Sequence, residues 1–338
     1  MNDDDNIDFA LESAPCPLCG EIHAIPEWTA PDRLCGGPGT FTVARCLFCG
    51  LFRQEPRVPA GHIGAYYPED YIVYTRPAPA RSGAGRTGPW RRDLLERKAR
   101  RPLPGGLVKR ALLRAFSWTP QARFNPVAMP GEGRRMLDVG CGIGNFAVEM
   151  QAMGWRVDGI EPNARAADIA RERGLAVTTG HFPDAARALV GGYDLVTMNQ
   201  VIEHFTDPVG ALAAARDLLA PGGRLVLWTP WRTGLCARVF GTYWFALEQP
   251  RHYTLFSPRD LQRAVNIAGL RAIWTLAHSS TASWTRSMVY AATGGPREAL
   301  ARRIDASKLV HRLLYWPLRL LDWWGLGDAG ILVAEKPR

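Results

Sequence analysis

A glycine-rich turn near the middle of the chain has the residues to hold a nucleotide-like ligand. The apolar residues 136–139 lead into Gly140-Cys-Gly-Ile-Gly144, and a helical pattern begins at Asn145. Glycine lets the backbone turn sharply and lets a ligand approach closely, and the start of a helix offers unpaired N–H groups and a positive dipole end. Because Asn145 replaces the last glycine of the dinucleotide pattern G-x-G-x-x-G, an NAD-dependent oxidoreductase is the least favoured interpretation.

Four cysteines near the N-terminus have the spacing of a metal site. Cys16-Pro-Leu-Cys19-Gly and Cys46-Leu-Phe-Cys49-Gly each place two thiolates on one tight turn, and two such turns complete a tetrahedral sulfur site. The acidic N-terminus is not a secretory signal, so we expect a reducing cytoplasm, where paired cysteines favour metal over disulfide. We predict a structural zinc ribbon. A redox pair is the alternative, and Cys35 is not expected to be a ligand.

From residue 135 onward, strand and helix patterns alternate. Helices are predicted at about 163–173 and 207–219 and from Ser257, with Asn163 and Ser257 as N-caps. Repeated βαβ units of this length predict an α/β domain with a doubly wound, mostly parallel, seven-stranded sheet and a site at the carboxyl edge of its strands. The predicted strands are 135–139, 155–160, 175–178, 193–198, 224–229, 271–277 and 330–335.

A carboxylate, Glu161, comes at the end of the second of these strands. An acid in that place can accept both hydroxyl groups of a ribose, as in dinucleotide folds. Acids at strand ends are also common on protein surfaces. Together with the glycine-rich turn, Glu161 favours a nucleoside ligand.

The segments that follow resemble the class I S-adenosylmethionine (SAM)-dependent methyltransferases. Tyr193-Asp-Leu-Val, Val201-Ile-Glu-His204, Asp207-Pro208 and Leu219-Ala-Pro-Gly-Gly223 come in the order and spacing of that family's motifs. The chain is most similar to the branch of ubiquinone-pathway O-methyltransferases and bacterial small-molecule methyltransferases, in which Pro250-Arg-His and the N-terminal ribbon have counterparts. The resemblance covers about 16–75 and 135–275. It implies a Rossmann-like sheet, SAM as cofactor and a small-molecule acceptor.

The resemblance also implies roles for individual residues. Some ubiquinone-pathway relatives bind a divalent metal at an E-x-x-E-H motif after the fourth strand. Here Gln200 takes the place of the first glutamate, and Glu203 with His204 makes a weak hard-metal site. The implied cofactor contacts are Asp138, Gly140, Gly142 and Gly144 for the amino-acid end of SAM, Glu161 for the ribose, His181 and Phe182 near the adenine, and Asn199 and Gln200 near the methionine part and the sulfonium.

Methyl transfer to a hydroxyl group needs positioning and a base. Histidine suits neutral pH, and His204 and His252 are the candidates, although each could equally be structural. Arg251 could bind a phosphate or carboxylate of an anionic acceptor. An aromatic wall for the acceptor, or else ordinary core, is predicted from Trp228, Trp231, Tyr243, Trp244 and Phe245.

The net charge of +9 is concentrated in one segment. Residues 81–114 hold eleven Lys/Arg and two Asp/Glu, which suggests an anionic partner such as a membrane, nucleic acid or phosphorylated substrate, or else a solvated linker. The Leu- and Trp-rich segment 309–326 is too polar to span a bilayer. It could be a lid, a dimer face, an interfacial membrane element or ordinary core.

Four parts are predicted along the chain: a disordered acidic tail over 1–14, the zinc ribbon with an aromatic connector over 15–75, basic linker or cap helices over 76–130, and the SAM-binding domain over 131–338 with a helical insertion at about 280–328.

The sequence thus predicts a cytoplasmic SAM-dependent methyltransferase, with peripheral membrane contact through 81–114 or 309–326 left open. Transfer to an oxygen of a small molecule, in a sugar, glycolipid or secondary-metabolite pathway, is the first expectation, and the acceptor could be anionic or lipid-linked. One alternative is an RNA methyltransferase that uses the ribbon and the basic segment, but no RNA-module pattern is present. Another is a non-catalytic zinc-ribbon scaffold. The oligomeric state is not predicted.

Overall fold

The computed structural model describes residues 9–68, 71, 133–295, 297–305 and 307–338. The basic segment 81–114 and its predicted cap helices lie outside these residues, as does most of the predicted acidic tail. The chain divides into two compact units. The first unit comprises residues 1–72, 190–192 and 196–338, and the second comprises 73–189 and 193–195.

Seven strands form the larger sheet, in the order β10-β11-β8-β7-β4-β5-β6. Strands β4, β5 and β6 pair in parallel, and β11 runs antiparallel to β8 and β10. This arrangement confirms the predicted α/β fold with a mostly parallel seven-stranded sheet. The described strands are β1 (Ala24–Pro31), β2 (Thr40–Cys46), β3 (Phe52–Gln54), β4 (Arg135–Val139), β5 (Arg156–Glu161), β6 (Ala176–Thr179), β7 (Tyr193–Asn199), β8 (Leu219–Pro230), β9 (Thr254–Leu255), β10 (Arg271–His278) and β11 (Ala329–Glu335).

The helices begin where local chemistry predicts. Asn163 accepts a hydrogen bond from the Ala166 N–H at 2.9 Å, and Ser257 with Asp260 forms a capping box. The described α-helices are α1 (Asn145–Ala152), α2 (Ala164–Glu172), α3 (Pro208–Leu218), α4 (Leu235–Phe240), α5 (Pro258–Ile267), α6 (Thr281–Thr293), α7 (Glu298–Asp305) and α8 (Lys308–Trp323). In the part of the chain that these ranges cover, no helix is long and apolar enough to cross a membrane.

Strand β8 is longer than the predicted 224–229. The sequence Pro221-Gly-Gly223 predicts a turn, but the main chain there stays paired with the end of β11. The Gly222 N–H donates to the Lys336 carbonyl at 3.0 Å, and the Lys336 N–H donates to the Gly223 carbonyl at 2.9 Å. These two bonds continue the ladder through the glycines.

The smaller sheet has the order β1-β2-β3-β9 and lies in the first unit. Its last strand, β9, comes from the loop after β8, and Phe52 of β3 pairs with Leu255 of β9. Phe52 and Val43 share a buried cluster with Trp244 and Leu247. The N-terminal strands therefore share both a sheet and a core with residues 236–255.

Candidate cofactor and acceptor site

The glycine-rich turn connects β4 to α1 in the second unit. Its glycines Gly140, Gly142 and Gly144 have φ angles of 70°, 54° and 80°, a region that residues with a Cβ rarely adopt. A Cβ on Gly144 would lie 2.2 Å from Leu175 Cδ1. The Gly140 N–H donates to the Ile160 carbonyl at 2.8 Å, which ties the turn to the end of β5.

Glu161 is the last residue of β5, and its buried carboxylate bonds directly to the turn. Its two oxygens accept the Gly142 N–H at 2.8 Å and the Asn163 N–H at 2.9 Å. Burial raises the pKa of this carboxyl, and the two N–H donors oppose the shift. Each carboxylate oxygen has a further lone pair, so Glu161 can still accept ribose hydroxyl groups. Asp138, on β4, is also buried.

The other predicted cofactor contacts fall into two places. His181 and Phe182 follow β6 in the second unit, with His181 exposed and Phe182 buried. Asn199 is the last residue of β7 and Gln200 follows it, and both belong to the first unit. Gln200 is exposed and has a φ of 58°, which costs a non-glycine residue on the order of 1–3 kcal/mol. Backbone strain of this kind clusters at functional sites.

The two candidate bases, His204 and His252, are neighbours in the first unit. Their ring centroids are 4.7 Å apart. The Nδ1 atom of His204 lies 2.9 Å from the Arg251 carbonyl and 3.0 Å from the Tyr67 hydroxyl. Burial lowers the pKa of His204, while Glu248 and nearby carbonyls oppose that shift. This side chain is only half-buried.

His252 has a more enclosed environment. It is 2% exposed, and its Nδ1 lies 2.9 Å from the Ala246 carbonyl. Burial lowers the pKa of His252 to about 3, with Glu248 opposing the shift, so the ring is neutral at pH 7. A group with so low a pKa is a weak base.

A carboxyl group, Glu203, completes this cluster. Its Oε2 accepts the Thr229 hydroxyl at 3.0 Å, and burial raises the pKa of Glu203 to about 8. Ligand atoms of Glu203, His204 and His252 lie within 4.8 Å of one another, and such a donor set suits a divalent transition metal. Both histidines already place Nδ1 against a main-chain carbonyl, so only their Nε2 atoms could serve as ligands.

Arg251 is fully buried in the first unit and is surrounded by acceptors. Its guanidinium donates to both oxygens of Asp32, at 2.7 and 2.8 Å, and to the Tyr66 carbonyl at 2.8 Å. Its Nε donates to Glu248 at 3.1 Å, and the Tyr71 hydroxyl donates to the same carboxylate oxygen. With no exposed surface, this guanidinium is held by the protein itself.

The geometry of the turn and of Glu161 agrees with the comparisons to known proteins. The family described as "Methyltransferase domain" matches residues 98–275, more than half of the chain. The chain belongs to the methyltransferase family. SAM is its cofactor, and the protein is a SAM-dependent methyltransferase. The predicted cofactor and the predicted enzyme class are both confirmed.

Curated relatives of this methyltransferase include ubiquinone biosynthesis O-methyltransferases. That of Burkholderia pseudomallei is 31% identical over 181 residues, which cover 46% of this chain and 78% of the relative. That of Cereibacter sphaeroides is 27% identical over 203 residues, covering 49% and 82%. A SAM-dependent methyltransferase structure from Archaeoglobus fulgidus is 19% identical, with a TM-score of 0.44, covering 72% of this chain and 99% of that one.

Two of the five residues of the predicted aromatic wall of the methyltransferase are core, and three keep accessible surface. Trp231 and Trp244 are 2% and 1% exposed. The Trp231 indole fills the space beside Gly330, where a Cβ would lie 1.7 Å from Trp231 Cζ2. Tyr243 is half-buried, with the Arg33 guanidinium carbon 4.3 Å from its ring centroid. Trp228 and Phe245 are also half-buried. The members of this set that keep accessible surface are therefore Trp228, Tyr243 and Phe245.

The four predicted zinc ligands of the methyltransferase come together in the first unit. Ligand atoms of Cys16, Cys19, Cys46 and Cys49 all lie within 4.8 Å of one another. The Sγ atoms of Cys16 and Cys49, and those of Cys19 and Cys46, are 3.5 Å apart. A tetrahedral zinc with Zn–S bonds of about 2.3 Å spaces its sulfurs about 3.8 Å apart. The four thiols therefore fit a zinc ion, and Cys35 is not part of the cluster.

Sequence reasoning missed three residues that surround Arg251 in the methyltransferase: Asp32, Glu248 and Tyr71. Asp32 is 219 positions from Arg251 in the chain, and no local pattern links them. Its carboxylate also accepts the N–H groups of Leu34, Cys35 and Gly37. The left-handed φ of 41° at Glu248 is likewise not visible in the sequence.

Proposed function

We propose that this methyltransferase moves the methyl group of SAM to an oxygen of a small molecule. The observation that carries the proposal is the left-handed glycine turn bonded to the buried Glu161 carboxylate. The names of the curated relatives, ubiquinone biosynthesis O-methyltransferases, support oxygen as the acceptor atom. A sugar, glycolipid or secondary-metabolite pathway remains part of the proposal.

For the cofactor, we propose that Asp138 and the glycine-rich turn hold the amino-acid end of SAM and that Glu161 holds the ribose. The buried acids and the three glycines of the turn, which have no Cβ atoms, support this assignment. His181, Phe182, Asn199 and Gln200 remain proposed contacts. SAM supplies an electrophilic methyl group, and the residues of this chain bind it, orient it and exclude water.

We propose His204, and not His252, as the base that accepts the acceptor's hydroxyl proton. His204 keeps accessible surface, whereas His252 is 2% exposed and has a pKa of about 3. On an identified acceptor, His204→Gln should lower kcat by about 10²–10⁴-fold and leave SAM affinity unchanged. His23→Gln, which changes an exposed histidine outside this cluster, is the matched control and should keep the wild-type kcat. Wild-type kcat in the His204→Gln variant would refute the assignment.

Arg251 is better explained as a structural residue than as an anion-binding one. Its donors are directed at Asp32, the Tyr66 carbonyl and Glu248, and it has no exposed surface. We therefore propose that it joins the N-terminal segment, at Asp32 and Tyr66, to the loop after β8. An anionic or lipid-linked acceptor then needs another contact on this chain.

We also propose that the four-cysteine cluster holds a structural zinc ion. The short Sγ–Sγ distances support it, and four thiolates would leave no open coordination position for catalysis. The zinc would stabilise two turns that otherwise have little core of their own.

The experiment for the proposed function is transfer of labelled methyl from SAM into a bacterial extract separated into metabolite, lipid and RNA fractions. Label in the metabolite or lipid fraction is the expected result. Label confined to RNA would overturn the proposal in favour of an RNA methyltransferase. Binding of SAM without transfer to any fraction would favour a non-catalytic scaffold.

A further inference from the structure

The outer side of α8 presents a continuous apolar stripe. The large apolar residues of this stripe recur with helical spacing, and at 3.6 residues per turn they fall within an arc of about 100° around the helix axis. The opposite side of the helix is buried at Leu318 and Asp322. The α8 stripe consists of Leu309 (65% exposed), Leu313 (65%), Trp316 (60%), Leu320 (50%), Trp323 (78%) and the adjoining Trp324 (70%).

This exposure is unusual for a protein surface. Single exposed apolar residues are normal, but contiguous patches of large ones mark interaction sites. Half of the stripe is tryptophan, whose ring combines a large apolar face with a polar N–H group. Tryptophan is therefore enriched at the level of lipid headgroups.

The charge beside the stripe is positive. Arg312 is exposed next to Leu313. The one acid of α8 in the sequence, Asp322, is buried and lies 3.0 Å from Arg319. Asp305, at the end of α7, lies 3.2 Å from Arg286. Residues 297–324 contain six Lys/Arg and three Asp/Glu, and Asp305 and Asp322 are each paired with an arginine. The segment that carries the stripe therefore has an excess of basic residues.

We propose that the α8 stripe docks on the surface of an anionic lipid membrane. The helix lies in the plane of the interface, with its leucines and tryptophans among the upper acyl chains and Arg312 at the phosphates. An apolar helix face, interfacial tryptophans and a cationic flank are the three features of such elements. No helix in the described ranges could span the bilayer, so this is surface attachment.

A second copy of this chain is the less favoured occupant. Two copies meeting across the stripe would bring like-charged flanks together, which disfavours association. Anionic headgroups instead complement Arg312 and the excess of basic residues in 297–324.

The test is cosedimentation of the full chain with phosphatidylcholine vesicles, with and without phosphatidylglycerol. The stripe variant carries Leu313→Ser, Trp316→Ser and Trp323→Ser. The control variant carries Ile22→Ser and Val239→Ser, which replace apolar residues that are 65% and 58% exposed elsewhere. Substitutions at exposed positions should leave the fold intact. The unfolding midpoint and the sedimentation-velocity mass of each protein are measured to check this and to detect a change of oligomeric state.

We expect wild type and control to bind the anionic vesicles at least about tenfold more tightly than neutral ones, with affinity falling as salt rises. The stripe variant should bind at least about tenfold more weakly. Undiminished binding by the stripe variant would overturn the proposal and place the contact elsewhere, for example in 81–114. Absence of vesicle binding by wild type, or a stripe variant that changes only the oligomeric mass, would overturn it too.

Discussion

Replacing Arg251 by methionine removes a guanidinium that is completely buried. Both side chains of its pair with Asp32 have 0% exposure, and two charge-assisted hydrogen bonds of 2.7 and 2.8 Å join them. The variant leaves the Asp32 carboxylate buried without its cation. Removing one partner of a buried pair costs about 3–5 kcal/mol, because the remaining charge is uncompensated. Methionine can restore part of the packing of the arginine stem, but none of this charge compensation.

We therefore expect Arg251→Met to lower the free energy of unfolding by about 3–5 kcal/mol, measured by urea unfolding at pH 7. The control is Arg187→Met, which removes one partner of the exposed Arg187–Asp184 pair (84% and 74% exposed). It should leave the midpoint unchanged, because exposed ion pairs contribute little. The double variant Asp32→Asn with Arg251→Met should lose less than the sum of the single losses, because the two residues are in contact.

A functional role for Arg251 would give the opposite pattern. If the guanidinium bound an anionic acceptor, Arg251→Met would keep the wild-type midpoint and raise KM for that acceptor. That result would refute the structural assignment.

Two further predictions concern the cysteine cluster and a buried acid. Purified protein should contain one zinc ion per chain, measured by mass spectrometry of the metal. The Cys49→Ser variant should lose the zinc, and the Cys35→Ser variant should retain it. Equal retention of zinc by both variants would contradict the four-cysteine assignment. Burial raises the pKa of Asp328 to about 6, so the folded state holds this proton more tightly than the unfolded chain, whose pKa is about 4. That contribution to stability is present below about pH 4 and is lost as pH rises to about 6, and it amounts to about 3 kcal/mol. The free energy of unfolding of Asp328→Asn, measured by urea unfolding, should therefore rise by about 3 kcal/mol relative to that of wild type between pH 4 and pH 7. A difference between the two proteins that does not change with pH would contradict this prediction.

The features that sequence predicted best depend on residues a few positions apart. The caps at Asn163 and Ser257 need only an oxygen that reaches an N–H three residues later. The turn from β4 into α1 is fixed by its own glycines. The order of strands and helices then follows from the alternation of these local patterns.

The features that sequence missed depend on distant partners. The sequence suggests Arg251 as a contact for an anionic acceptor, but the guanidinium is paired with Asp32 from the N-terminal segment. For Trp231 the sequence leaves an acceptor wall and ordinary core open, and the structure shows the indole in the space beside Gly330 on β11. In α8 the spacing of leucine and tryptophan is visible in the sequence. Only the structure shows that this side faces outward, while Leu318 and Asp322 face inward.

The most direct test of SAM as the cofactor is calorimetric titration of the protein with SAM and, separately, with NAD. Wild type should bind SAM and should not bind NAD. Glu161→Gln should weaken SAM binding about 10–100-fold, since a hydrogen bond to a charged group contributes about 1.5–3 kcal/mol. Glu149→Gln, on the exposed side of α1, should bind SAM as wild type does. Wild-type affinity for SAM in Glu161→Gln would contradict the role of Glu161, and binding of NAD in place of SAM would contradict SAM as the cofactor.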